Sequence, residues 1–331
     1  SQGLLLMIPN MYKMAGELLP SVIHVSARTV AGGALSIFGD HSDVYACRQT
    51  GYAMLASSNP QECMDRGALA HLAAIESRVP FLHFFDGFRT SHEIQKIETW
   101  DYADLAEMVN WDKIDEFRRR ALNPEHPILR GTAMNDDIHF QFKEAVNKYY
   151  DAVPEIVVDY MNKINAKCGT NYKPFNYYGA PDAEKVIIAM GSACDAAEEV
   201  VNYMVAKGEK VGLIKVRLYR PFSAKHLLDV MPATVKKISV IDRTKEPGSI
   251  GEPLYLDVLA ALQGSQFENC SLFYGRYGLA SKDTYPGCFV AIYNNMDAAE
   301  PKKRFTVGIV DDVTNLSLEI TENPNTAPEG T

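Results

Sequence analysis

Short apolar runs alternate with longer stretches of helical periodicity along most of the chain, which is the pattern of parallel βα units rather than of an antiparallel sandwich. In the first half "SVIHVSA" (21–27) and "ALSIFG" (34–39) read as strands, a short helix follows near 43–50 and is closed by Gly51, and "YAMLAS" (52–57) reads as a third strand. Ser58 or Asn59 is placed to cap the next helix, Pro60 suits its first position, and Ala, Leu and Ile recur at helical spacing to about Ser77. Pro80 then opens a buried strand, completing a βαβ unit. From 101 to 164 the pattern turns helical and polar, broken at "RRRALNPEHP" and resumed as a long amphipathic helix over 135–169.

The segment "CGTNYKPFNYYGAPDAE" (168–184) gathers Gly, Pro, Asn and Tyr, a composition that marks a linker. Alternation restarts after it with strand "KVIIAMG" (185–191), helix 193–207, strand "VGLIKVRLY" (211–219), helix 223–231, strand "KKISVIDR" (236–243) and helix 253–263. The polar tail "TENPNTAPEG" (321–330) reads as extended. A length of 331 residues exceeds what one core usually serves and independently argues for two domains. The expected fold class is α/β, with two open, mostly parallel sheets flanked by helices, and the expected domains are 1–172 and 173–331.

Composition narrows the chemistry. Hydrophobic residues make up 47% and charged residues 23%, enough to bury a real core. A net charge of -9 gives no general reason to bind nucleic acid, whose affinity is built on neutralised phosphates. No run of about 18 apolar residues exists, so no membrane span is expected. The six cysteines (47, 63, 168, 194, 270, 288) show no CxxC and no metal spacing, which fits reduced thiols in a cytoplasmic protein.

Short motifs are few. G-x-G-x-x-G, Walker A, G-x-S-x-G and HExxH are all missing. Gly191 and Ser192 before a helix either hold an anion on free N–H groups or simply turn the chain. Asp40, His41 and Asp43 read either as a metal or general-base cluster or as a cap and hydrogen-bond cluster. Arg118 to Arg120 read as an anionic-ligand patch or as a solvated helix face. Arg28 follows "VIHVSA", so it sits at the carboxyl end of a strand, where open α/β sheets bind ligands. Its planar fork of donors suits a carboxylate substrate, and the alternative is a structural salt bridge.

Longer stretches carry a resemblance. "TVAGGALSIFGDHSDVYACRQTGYAMLASSNPQECMDRGALAHLAAI" with "PFLHFFDGFRTSHEIQKIE", and later "VRLYRPFSAKHLL" and "VIDRTKEPGSIGEPLYLDV", closely resemble the pyruvate:ferredoxin (flavodoxin) oxidoreductases over essentially the whole chain. The resemblance implies a thiamine diphosphate-binding fold. Its first part would be a pyrimidine-binding (PYR-type) domain lacking its N-terminal part, and its second a transketolase C-terminal-like domain. It further implies oxidative decarboxylation of pyruvate with coenzyme A, giving acetyl-CoA, CO2 and reduced ferredoxin or flavodoxin.

Arg28 matches the family arginine that holds the pyruvate carboxylate. The "GDHSD" signature is matched without a role for Asp40, His41 or Asp43 individually. Thiamine diphosphate, Mg2+ and [4Fe-4S] clusters are implied for the full enzyme. The pyrimidine-activating glutamate, the diphosphate and metal motif and the cluster cysteines have no counterpart here. The chain thus reads as two domains of a longer enzyme, expected to be a cytoplasmic homodimer and to be inactive as this segment alone. The alternatives are an oxidoreductase for another 2-oxo acid, a transketolase-like enzyme, or a non-catalytic dimerising module.

Overall fold

The structure, a computed structural model, describes residues 1–326. Helices α1 (Gln2–Leu6) and α2 (Ile8–Gly16) lead into strand β1 (Val22–Ala27), and α3 (Ser42–Ala46) lies between it and β2 (Ala53–Ser57). The crossover to β3 (Phe81–Asp86) is α4 (Pro60–Ser77), and its start obeys the capping rule. The Asn59 side chain accepts from the Glu62 N–H at 3.0 Å, while the Glu62 carboxylate accepts from the Ser58 N–H at 2.7 Å. Helices α5 (Tyr102–Met108), α6 (Trp111–Arg119), α7 (His139–Ala145) and α8 (Asn147–Cys168) follow. Left-handed Gly169 ends α8, which packs along α4.

The second half contributes β4 (Phe175–Gly179), β5 (Lys185–Met190), α9 (Ala193–Ala206), β6 (Val211–Val216), β7 (Leu218–Arg220) and α10 (Ala224–Val230). Then come β8 (Lys237–Asp242), α11 (Pro253–Leu262), β9 (Ser271–Arg276), α12 (Pro286–Asp297) and β10 (Arg304–Thr306). One sheet runs β1-β3-β2-β7 and the other β10-β9-β8-β5-β6-β4, all neighbours parallel except β7 on β2 and β4 on β6. Two mostly parallel sheets flanked by helices is the fold class the pattern predicts.

Three expectations need correction. The run 34–39 forms no strand: Leu35, Ile37 and Phe38 are exposed in a loop that follows Gly32 and Gly33, and the bond from Thr29 N–H to the Phe38 carbonyl (3.0 Å) builds no ladder. The run 211–219 is two strands in two sheets, because at Arg217 the backbone changes partners: its N–H donates to the Pro174 carbonyl at 2.9 Å, while its carbonyl accepts from the Ala56 N–H of β2 at 2.8 Å. The linker 168–184 is partly strand, with Phe175 to Gly179 paired on β6. Of the tail, 321–326 is without helix or strand and 327–331 lies outside the described residues.

Alternate residues of each strand enter different cores, as the two-residue period of a strand requires. Val25, Met54, Leu82 and Phe84 of the first sheet share one core with Val186, Ile188, Ile214 and Val240 of the second. Ala53, Leu55 and Phe81 face α4 and α8 instead, and Ile187, Ala189 and Leu213 face α9 and α12. The two sheets therefore share buried apolar surface, and β7 carries the second half of the chain into the first sheet by pairing with β2.

Candidate active site

Parallel pairing in register brings Ala27 of β1 beside Asp86 of β3, so both strands deliver their next residues to the same end of the sheet. Arg28 lies there, half-buried. Its Nε donates to the Ile37 carbonyl at 2.7 Å, Nη2 donates to the same oxygen, and the guanidinium lies over the Phe88 ring at 4.4 Å. No carboxylate among the described residues pairs with the Arg28 side chain. The backbone is fixed separately: the buried Asp43 carboxylate accepts the Arg28 N–H at 2.9 Å and the Val44 N–H at 2.7 Å. Glycine is required around this end. A Cβ on Gly87 would strike the Ala27 carbonyl, and one on Gly39 would strike the Gly87 carbonyl.

The "GDHSD" residues form a buried hydrogen-bond cluster. Asp40 accepts from Thr29 Oγ1 (3.0 Å) and Ser42 Oγ (2.6 Å), and His41 reaches Asp86. An ionised carboxylate can only accept, so His41 Nε2 is the donor. Asp86 also accepts from the Ser192 N–H (3.0 Å) and Oγ (2.5 Å) and pairs with Arg243 at 2.9 Å. Ser192 and Arg243 stand at the carboxyl ends of β5 and β8, the point where strand order reverses in the six-stranded sheet. The anion position at the start of α9 is thus filled by the protein's own Asp86. Full burial pushes this carboxyl up, but His41, Arg243 and the Ser192 bonds outweigh it and hold Asp86 well below the usual range.

Two further buried contacts tie the halves. Glu62 on α4 bonds Arg66 and Arg217, and despite burial those two guanidinium groups hold it well below its usual range. Tyr45 donates to Asp242 at 2.8 Å, where the N–H groups of Leu254 (3.0 Å) and Tyr255 (3.2 Å) also converge. Burial pushes the Asp242 carboxyl up to about 7, only partly countered by those donors.

Other features offer less chemistry. A cleft of about 410 Å³ between the halves is lined by Phe88, Arg89, Thr90, Arg243 and Lys282 among others. A larger one, about 880 Å³, lies beside His24 and His71 on the other side of α4 from Glu62 and its arginines. His24 bridges His83 (2.9 Å) and His71 (3.2 Å), and burial with the nearby His24 and Arg66 pushes His83 down to about 3. Among the described residues no three His, Cys, Asp or Glu side chains are placed to hold a metal ion. All six cysteines are free, and burial pushes the Cys47, Cys63 and Cys194 thiols up to about 12, away from nucleophilic use. Arg118 and Arg120 pair with Asp115 (3.4 Å) and Glu116 (2.6 Å) on an exposed helix face. No helix among the described residues is long and apolar enough to cross a membrane.

The structure thus brings Arg28, Asp40, His41 and Asp43 to one end of the first sheet. Sequence reasoning missed Asp86, Phe88 and Arg243, and it singled out Ser192 as an anion position without naming the carboxylate that fills it. "FFDG" and "VIDR", each a charge closing an apolar run, were the available signals for Asp86 and Arg243.

Comparison with known proteins gives a consistent picture. Residues 1–162 match the family model described as pyruvate flavodoxin/ferredoxin oxidoreductase, thiamine diphosphate-binding, and residues 183–283 match pyruvate:ferredoxin oxidoreductase core domain II. The whole chain is 61% identical to part of pyruvate:ferredoxin oxidoreductase from Moorella thermoacetica, covering 28% of that protein. It is 56% identical to part of pyruvate-flavodoxin oxidoreductase from Enterobacter agglomerans, covering 28%, and 51% identical to part of mitochondrial pyruvate dehydrogenase [NADP(+)] from Euglena gracilis, covering 18%. A solved 2-oxoglutarate:ferredoxin oxidoreductase from Magnetococcus marinus, with 2-oxoglutarate, coenzyme A and succinyl-CoA bound, shares the fold. Its TM-score is 0.59 at 16% identity, over 90% of this chain and 52% of that one.

Proposed function

With both of its matched regions, 1–162 and 183–283, belonging to the pyruvate:ferredoxin/flavodoxin oxidoreductases, we propose that the chain is the part of such an enzyme that anchors the pyruvate carboxylate through Arg28. The observation that carries this reading is the Arg28 guanidinium itself, held at the carboxyl ends of β1 and β3 with no acidic partner among the described residues. A substrate carboxylate is the chemistry that fits the remaining donors. In the reaction the carboxylate leaves as CO2, the acetyl group passes to the sulfur of coenzyme A, and two electrons pass to ferredoxin or flavodoxin. The relatives support a division of labour: their names share pyruvate and differ in ferredoxin, flavodoxin or NADP(+), and this chain is 51–61% identical to part of each, which fits a segment concerned with the shared substrate rather than with the acceptor.

Bound thiamine diphosphate supplies the carbanion stabilisation that decarboxylating a 2-oxo acid needs. In this reading the segment supplies the substrate anchor and, in the 1–162 region that matches a thiamine diphosphate-binding model, part of the cofactor-side domain, while the Mg2+ and diphosphate ligands and the [4Fe-4S] cysteines belong to the remainder of the longer proteins. The domains divide at 172/173 in this reading, since α8 packs along α4 and shares a core with residues of β2 and β3, whereas Phe175 already pairs in the second sheet. A cytoplasmic homodimer completes it. The test is pyruvate-dependent CO2 release by the longer protein with coenzyme A and ferredoxin. Saturable turnover of pyruvate, lost in Arg28→Ala, supports the reading; preference for a bulkier 2-oxo acid, or turnover indifferent to Arg28, would overturn it.

A further inference from the structure

Phe88 has φ +58°, a left-handed backbone that bulky residues rarely adopt. Such conformations persist where surrounding structure imposes them, and they gather at functional sites. Phe88 lies two residues past the end of β3, and its N–H donates to Ser91 Oγ at 2.9 Å, which holds the turn. Core packing does not account for it: the ring is half-exposed and belongs to none of the three buried clusters. What the turn does accomplish is to lay the ring against the Arg28 guanidinium, 4.4 Å from its carbon. The same ring stacks on His92 (4.5 Å, 15°) and meets the edge of Phe38 (5.2 Å, 68°), so it is itself held in place.

We infer that Phe88 is a positioning residue that aims Arg28 at the substrate. This inference rests on Arg28 being the carboxylate anchor. Ile37 takes Nε and Nη2 and Phe88 covers the guanidinium plane, which leaves the Nη1 edge as the donor edge without a partner among the described residues. A flexible arginine gains a single orientation, with cation–π attraction in place of a neutralising carboxylate.

The experiment uses the longer protein and exploits the backbone strain. Glycine and asparagine both tolerate the left-handed conformation, so Phe88→Gly and Phe88→Asn delete the ring without straining the turn. Both should keep the unfolding midpoint at or near that of the parent while kcat/KM for pyruvate falls about 2- to 30-fold, mainly through KM, and KM for coenzyme A stays put. Phe88→Tyr should recover most of the loss. In an Arg28→Ala background Phe88→Gly should add almost nothing, since a positioning residue has nothing left to position. Unchanged pyruvate KM in both ring-deleting variants, or a full additional loss on top of Arg28→Ala, would overturn the inference. If Arg28→Ala itself leaves pyruvate KM unchanged, it is the anchor reading that fails; if Arg28→Ala raises KM and the Phe88 variants do not, only the role of Phe88 fails.

Discussion

Asp86 and Arg28 occupy neighbouring strand ends and differ in nearly everything else. Asp86 is fully buried, hydrogen-bonded by His41 and Ser192 and ion-paired with Arg243, from both halves of the chain. Arg28 is half-buried, rests on an aromatic ring and a single carbonyl, and has no acidic partner among the described residues. A buried charge must be fully paired, because desolvation is otherwise too costly, and a charge so paired has nothing left for a ligand. In the proposed reading one strand end is scaffold and the next is site.

The comparison is broken most forcefully at its buried side. Asp86→Ala strands Arg243 in the interior, and removing one member of a buried pair costs roughly 3 to 5 kcal/mol. The unfolding midpoint of the longer protein should drop sharply, with turnover lost in proportion to folded protein; a midpoint that does not move would make the Asp86 network dispensable. Arg28→Ala should do the reverse. Loss of a charge-assisted hydrogen bond worth about 1.5 to 3 kcal/mol lowers kcat/KM for pyruvate roughly 10- to 150-fold, while the midpoint stays near the parent's. Arg28→Lys should restore only part of this, because an ammonium lacks the planar fork.

Much of this was legible in the sequence, and the limits have physical causes. The Asn59 cap, Pro60 and the period of 60–77 specify α4 locally, and the apolar runs before Arg28 and Asp86 specify β1 and β3. The run 34–39 misled because apolar residues alone do not supply a ladder partner. The break at Arg217 was invisible because the groups it meets are distant in sequence: its carbonyl accepts from the Ala56 N–H, and its side chain reaches Glu62, 155 positions away. For the same reason the cluster at Asp40, His41 and Asp43 could be recognised as polar and paired, yet its partners Ser192 and Arg243 could not be named.

A smaller effect sharpens the contrast through pH. Burial raises the Asp242 carboxyl from 3.8 to about 7, so its favourable contribution is complete below about 4 and is lost as pH rises through about 7. Asp242→Asn stays neutral throughout. Relative to the parent it should therefore be least stable near pH 4 and gain ground up to about pH 8, as read from paired urea midpoints; a constant difference would mean that Asp242 titrates normally. Smallest of all is Arg118→Ala on the exposed face of α6, where screened surface pairs contribute about 0 to 1 kcal/mol. Neither midpoint nor pyruvate KM should change measurably.

The most direct test is a crystal structure of the longer protein with pyruvate bound and decarboxylation blocked by withholding thiamine diphosphate. The account predicts the pyruvate carboxylate on the Arg28 guanidinium at about 2.7 to 2.9 Å, the Phe88 ring still covering that guanidinium, and Asp86 still bonded to Ser192 and Arg243. A pyruvate carboxylate bound elsewhere, with Arg28 on the Ile37 carbonyl and no substrate contact, would contradict it.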